Sequence, residues 1–372
     1  MKTPTPFTEA DWARLERDWT AWWSHDLDRP LLVSINTRPT DRVRPSWWGG
    51  LGQMPLTVPA EEIAAELWDD ISRTTHHGDS WPRAWMNYGP GIGAAFLGGE
   101  LEAAPDTVWF RPGIWAGKPL NEIRPSYDPD QVWWQRIQEV TTACLAQFAG
   151  RAQVGFTDIG GNLDLAASLR DTMTLLEDCI DDPEAVDELC QHLTQLWLRF
   201  YKEQYALIGA AGRGTSAWAP LWSPGRTYML QSDFSYMIGP DQFARWVVPD
   251  LAACCVELDH GFYHLDGKGQ IPHLDHLLAV PGLKGVQWIP GAGQPEAADP
   301  VWWPLLKRIR DAGKLVQIYS PGDLVLSMAR AVPLTGFVID LRTEDGKNHA
   351  ELVGAIQREN AALRAKTTVT VG

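Results

Sequence analysis

His264 and Asp266 lie two residues apart in the stretch FYHLDGKG, which spans Phe262 to Gly269. In an extended chain, positions two apart face the same way. An imidazole and a carboxylate on one face can act as base and orienter, or as two ligands of one divalent metal such as zinc. The other reading is a core histidine beside an aspartate that turns the chain. Gly267 and Gly269 would let backbone and ligand approach closely.

Further carboxylates recur at the ends of apolar runs. Asp158 closes AQVGFTDI before GGN, and Asp164 follows in NLDL. Two acids at one mouth suit acid and base roles; Asp164 is also well placed to cap a helix, with Asn162 forming a turn. Asp233, in YMLQSDFSYMIGP, is either catalytic or caps the next turn. His273 and His276 are three apart in PHLDHLL, which reads as a solvated helix face before it reads as a metal site. His76 and His77 carry little signal.

The residues closing the remaining runs would wall the site: Asn87 and Tyr88, Asn162, Trp218 and Trp222, Gln287 and Trp288, Gln317 and Tyr319, Asp340 and Arg342.

What must position them are eight short apolar runs. They span residues 30–36, 84–88, 152–159, 214–221, 261–265, 285–289, 314–319 and 336–341, with helical patterns between most of them. One such helix starts at DDPEAVDELCQHL, with Asp182 as N-cap and Pro183 in the first turn. Another runs from Pro240 to Asp259, where Pro249 should kink it. Helical patterns also cover Asp299–Ala312 and Asn348–Ala365. Strand alternating with helix predicts a parallel sheet, and eight strands predict a closed (β/α)8 TIM barrel with its site at the carboxyl ends of the strands. An open doubly wound sheet is the rival; no GxGxxG follows any strand. The expected organisation is a helical extension over 1–29 and one barrel over 30–372, with a long loop at Thr37–Pro59.

The 372 residues carry a formal net charge of −15, which argues against a nucleic-acid partner. No apolar run is long enough to span a bilayer, and the first residues do not resemble a signal peptide, so a cytoplasmic protein is expected. The five cysteines form no CxxC and read as buried free thiols. The 20 tryptophans include the adjacent pairs Trp22–Trp23, Trp47–Trp48, Trp133–Trp134 and Trp302–Trp303. Adjacent positions on a helix diverge, so some of these rings are expected in a cleft or an interface, and a homodimer is expected.

Several segments resemble the uroporphyrinogen decarboxylase-like superfamily, which includes cobalamin-dependent methyltransferases. They are DRPLLVSI, LRDTMTLLEDCIDDPEAV, LQSDFSYMIGPDQFARWVVPDL and YHLDGKGQIPHLDHLLAVPGLKGVQWIPG. The resemblance implies a (β/α)8 barrel, often dimeric, and either decarboxylase or methyltransferase chemistry, the latter with a corrinoid on a partner protein. The decarboxylases carry an arginine-rich segment after the first strand and an aspartate closing the second. Here Arg38, Arg42 and Arg44 stand in the first loop, and the second run ends in Asn87 and Tyr88. The methyltransferases carry a zinc site with His-x-Cys at a strand end. His264 matches the histidine, Asp266 stands in the place of the cysteine, and no cysteine follows Cys255.

The expectation is therefore a barrel enzyme with methyl-transfer or decarboxylase/lyase chemistry on a small molecule. His264 and Asp266 stand at its centre, as acid and base or as ligands of a metal completed by another oxygen donor. Action on a glycoside or another polyhydroxylated ring, and a non-catalytic binding barrel, are the alternatives.

Overall fold

A computed structural model describes residues 6–46, 48–105, 107–343 and 347–371, with side chains as far as residue 366. The strands are β1 (Leu31–Thr37), β2 (Thr74–Gly78), β3 (Arg83–Trp85), β4 (Glu100–Ala103), β5 (Val108–Arg111), β6 (Gln153–Gly155), β7 (Thr215–Ser216), β8 (Trp222–Ser223), β9 (Thr227–Leu230), β10 (His260–Asp266), β11 (Leu283–Ile289), β12 (Leu315–Pro321) and β13 (Phe337–Arg342). All eight apolar runs contain a strand. The strands not expected are β2, the hairpin β4–β5, β8 and β9.

Seven strands form one sheet in the order β2-β1-β13-β12-β11-β10-β9, parallel except for β2. β3 and β6 pair separately, also in parallel. The fold is mixed α/β with a mostly parallel central sheet. Among the described residues no ladder joins β9 to β6 or β3 to β1, so strand pairing alone does not draw the expected closed barrel. Phe156 N–H, just past β6, donates to the Ser216 carbonyl of β7 at 2.9 Å, and Asp79 N–H extends the β1–β2 ladder by donating to the Leu32 carbonyl at 2.7 Å. The ladders are short here because the chain turns outward early, as at Asn87, whose N–H returns to the Trp85 carbonyl at 2.9 Å. The neighbour of β10 is β9, not the run at 214–221.

The helices α1 (Glu9–Trp23), α2 (Ala60–Ser72), α3 (Gly93–Phe96), α4 (Val132–Phe148), α5 (Asn162–Arg170), α6 (Thr172–Asp181), α7 (Pro183–Gly209) and α8 (Pro240–Glu257) precede β10, and α9 (Leu274–Leu278), α10 (Trp303–Asp311), α11 (Gly322–Ala329) and α12 (His349–Val371) follow it. The Asp182 carboxylate accepts the Ala185 N–H and Pro183 opens α7, as the sequence predicts. Pro249 lies inside α8, which runs unbroken through it.

Helix α1 closes the amino end of the sheet. A capping box between Thr8 and Asp11 starts it. Its buried face presents Trp12, Leu15, Trp19, Trp22 and Trp23. Trp22 stacks on Phe262, and Trp23 lies flat on His260, the first residue of β10, with ring centres 4.3 Å apart. The buried Asp79 carboxylate accepts two bonds from Arg29 and one from Leu32 N–H, at 2.8–2.9 Å, tying the extension to β1. Such charge-assisted bonds contribute about 1.5–3 kcal/mol each.

The premise of the dimer expectation does not hold for Trp22 and Trp23. They are 0% and 5% exposed within one chain. A helix lying across a sheet end is covered over a wide arc, so adjacent positions both find partners. Trp134 is likewise fully buried and Trp302 nearly so. Trp47 lies outside the described residues.

Candidate active site

Strand β10 places the chemistry by alternation. His260 and Phe262 meet the tryptophans of α1, while His264 and Asp266 continue the same face towards the open end. Tyr263 and Leu265 face the opposite way into the helix layer and are fully buried. Gly285 on β11 makes room for Phe262: a Cβ there would meet its ring at about 2.1 Å.

One layer higher, His264, Gln287 and Gln317 stand in register on β10, β11 and β12. His264 Nδ1–H donates to Gln287 Oε1, and Gln287 Nε2 donates to Gln317 Oε1 at 3.2 Å. This row decides the tautomer: the Nδ1 proton is engaged, so Nε2 carries a free lone pair. Burial holds the His264 pKa below its ordinary value, against the opposing bond to Gln287 and the charges of Asp266 and Asp164. Burial thus favours the neutral imidazole.

Nε2 stands 4.0 Å from an oxygen of Asp266. Asp233 joins them from the loop after β9. One ligand atom from each of Asp233, His264 and Asp266 lies within 4.8 Å of the others. Asp164, in the first turn of α5, holds this loop by accepting the N–H groups of Asp233 at 3.1 Å and Phe234 at 2.9 Å. Burial raises both carboxyl pKa values, with further increments from Asp233 on Asp164 and from Asp266 on Asp233.

A cavity of about 430 Å³ opens beside the cluster. Its sheet-side wall holds Trp85, Asn87, Asp158, Trp218, Gln231, Asp233 and His264. The loop containing Gly50, Gly52 and Gln53, and Thr107 and Val108 of the hairpin, form the other side. Among the described residues neither lysine nor arginine lines it. Trp218 meets His264 edge to face with centres 5.0 Å apart. Arg83 fixes that wall by donating to the carbonyls of Ala217, Trp218 and Ala219 at 3.0–3.2 Å.

Asp158 is buried in the loop after β6 and accepts the Gly160 N–H at 2.9 Å. Burial pushes its pKa up to about 7, against the Gly160 bond and helped by the charges of Asp233 and Asp164. A carboxyl whose pKa rises on folding binds its proton more tightly in the folded state. Stability therefore falls as pH climbs from about 4 to about 7. Asp158→Asn is expected to match the wild type near pH 4 and to be more stable at pH 8, by on the order of 2–4 kcal/mol. Denaturant melts at both pH values check this; a variant less stable at pH 8 would contradict it.

Several expected wall residues lie elsewhere, and the two-residue period of a strand explains Trp288. In the turn beyond β3, Asn87 faces the cavity, whereas Tyr88 is fully buried with its ring edge-on to Trp133 of α4. Gln287 faces inward behind His264, so Trp288 packs outward against Trp302. Trp222 sits at the end that α1 covers, its indole N–H on the Arg213 carbonyl and its own carbonyl bound by Trp23. Asn162 starts α5 and bonds the Trp246 carbonyl of α8. Gln317 is buried at the end of the glutamine row. Tyr319 pairs in register with Asp340 at the rim, under the Arg342 guanidinium. Burial raises the Asp340 pKa to about 6, with Arg83 opposing.

Gly267 and Gly269 serve packing as well as the site. A Cβ at Gly269 would meet the Tyr236 ring at about 2.6 Å, and Gly267 has φ +78°. His273 is not on a solvated face: it is buried, stacked on Phe243 and bonded to the Ser235 carbonyl. Arg42 and Arg44 pair with Glu66 of α2, and Arg44 also pairs with Asp70. All five cysteines are free and buried, as expected. Trp85 and Gln231 were missed, although each stands two positions before a residue that was noticed. Gln53 and Thr107 had no signal, since hairpin and loop reach the cavity only through the fold.

Among the described residues no helix is long and apolar enough to cross a membrane. No family model matches the chain, and no curated protein does. A methyltransferase from Methanosarcina mazei has a similar solved structure, with a TM-score of 0.58 and 11% sequence identity over 94% of this chain and 99% of that one. At that identity the likeness describes the fold.

Proposed function

We propose that residues 30–372 form a (β/α)8 barrel enzyme that carries out methyl transfer on a small molecule, at a divalent metal held by Asp233, His264 and Asp266. Decarboxylation or related lyase chemistry is the second reaction class. The observation that carries the reading is the cluster itself: three donor atoms within 4.8 Å, with the His264 lone pair freed by Gln287. The likeness in fold to a methyltransferase across nearly the whole chain supports the choice of reaction, as do the resembling segments. The bond from Phe156 to Ser216, which links β6 to β7, supports closure of the barrel on that side.

One imidazole and two carboxylates suit a borderline or hard divalent ion such as zinc or manganese. Among the described residues no cysteine lines the cavity beside it. Such an ion would supply a Lewis acid and would lower the pKa of a bound hydroxyl, thiol or water. Gln287 and Gln317 keep the imidazole oriented. Asp158, with its pKa near neutrality, holds a proton at the cavity wall and can donate it. Trp85 and Trp218 exclude water and offer flat faces. In the methyl-transfer reading a corrinoid on a partner protein is the methyl carrier.

Polycarboxylate substrates fit poorly, because among the described residues neither lysine nor arginine lines the cavity, and Arg42 and Arg44 are engaged with α2. Action on a polyhydroxylated ring is the second reading, favoured by a protonatable Asp158 among Trp85, Asn87, Trp218 and Gln231.

The test is metal analysis of the protein loaded with zinc or manganese and desalted, followed by demethylation of methylcobalamin with a panel of small acceptors. About one ion per chain and metal-dependent demethylation are expected. A chain that retains no metal would remove the centre from the proposal.

A further inference from the structure

A second cavity of about 360 Å³ adjoins the first. The two share Pro90, Val108, Gln231 and Asp233 as lining residues, so they meet beside the metal-ligand cluster. The hairpin β4–β5 is the roof between them. It is firmly seated: Val108 is 3% exposed, and a Cβ on Gly89 would meet its methyl at about 1.8 Å. A roof packed this closely divides the space into two fixed chambers.

The chambers differ in character. The first presents carboxylates, amides and the imidazole. The outer one presents Val108, Trp109, Phe110, Phe234 and Met237, and the charged groups at its edge are already engaged: Asp164 accepts two backbone N–H groups, Arg111 pairs with Glu102, and Asp171 caps α6. Trp109 is 55% and Met237 46% exposed. A large indole and a thioether held in water over a cavity are covered best by an apolar group entering it.

Resting on the function proposed above, we infer that the substrate is two-part: a polar reacting group at Asp233, His264 and Asp266, and an apolar or aromatic arm that passes beneath Val108 into the outer chamber, against Trp109 and Met237. The arm is part of the same molecule, because the outer chamber opens directly onto Asp233. An arm there would set specificity and anchor the reacting end.

The test uses hydroxamates of growing arm length, from acetohydroxamate through hexanohydroxamate to phenylbutyrohydroxamate, titrated calorimetrically into the zinc-loaded protein. Affinity should rise about fourfold for each methylene that the outer chamber takes up. Trp109→Ala and Met237→Ala should flatten the series and leave acetohydroxamate binding unchanged; both side chains are exposed enough to be removed without unfolding the chain. Acetohydroxamate that binds while longer arms give no gain would overturn the outer subsite and leave the metal centre standing. If acetohydroxamate does not bind, the metal centre falls, and phenylbutanol on the metal-free protein decides the chamber alone. Binding that depends on Trp109 supports it, and no binding overturns it.

Discussion

Replacing His264 with alanine is expected to empty the proposed metal centre and abolish turnover while the fold survives. The imidazole contributes one of three donors, and the remaining carboxylates alone hold a borderline ion weakly. Loss of more than about a hundredfold in metal affinity is expected, since removing even a supporting residue of such a site costs about 10–100-fold. The stability change should be small, about 1 kcal/mol, because the vacated space adjoins the cavity and water can pair with Gln287 Oε1. Asp233→Asn and Asp266→Asn should behave alike. Gln287→Ala should give the intermediate loss of about 10–100-fold, because the imidazole then loses the bond that orients it. Atomic absorption on desalted protein, with a thermal melt of the same sample, reads both quantities. A His264→Ala protein with full metal content, or one that melts as a core variant would, defeats the assignment.

Arg83→Met is expected to be the most destabilising change near the site, by about 2–4 kcal/mol. The guanidinium is enclosed, and burial lowers its pKa to about 10 although the charge of Asp340 favours its ionised form. It donates to three successive carbonyls of the segment Ala217–Ala219, whose backbone has few ladder partners because β7 is two residues long. Without the fork those carbonyls are left unpaired and Asp340 loses its nearest balancing charge. Arg83→Lys should recover only part of the loss, since an ammonium is a compact charge that cannot match the planar fork. Urea denaturation gives the free energies; a shift under 1 kcal/mol for Arg83→Met would show that the segment is held by other means. Metal content separates the two roles. Arg83 touches no ligand atom, so at temperatures where the variant is folded it should retain its metal.

The amino-acid sequence by itself determined the eight apolar runs, the helices between several of them, and the alternation that sets His264 and Asp266 on one face of β10. These are local properties, dictated by side-chain period and by capping residues such as Asp182. It also placed the thiols correctly, because an apolar helix carries its cysteines inward. Alternation was legible and was not applied throughout: Trp288 was set in the wall beside Gln287, although neighbours on a strand must diverge.

What only the tertiary structure decided were relations across sequence distance. Asp233 comes within reach of His264 and Asp266 because β9 lies beside β10 and Asp164, from another loop, grips its backbone. Trp22 and Trp23 are both buried because α1 lies across a sheet end, where cover comes from several directions. Arg42 and Arg44 could have met an anionic substrate until α2 brought Glu66 and Asp70 against them. The hairpin that roofs the cavity has an unremarkable sequence, and its place over Gly89 follows from packing alone. Period and propensity act over a few residues; which distant groups share one cavity depends on how the layers close.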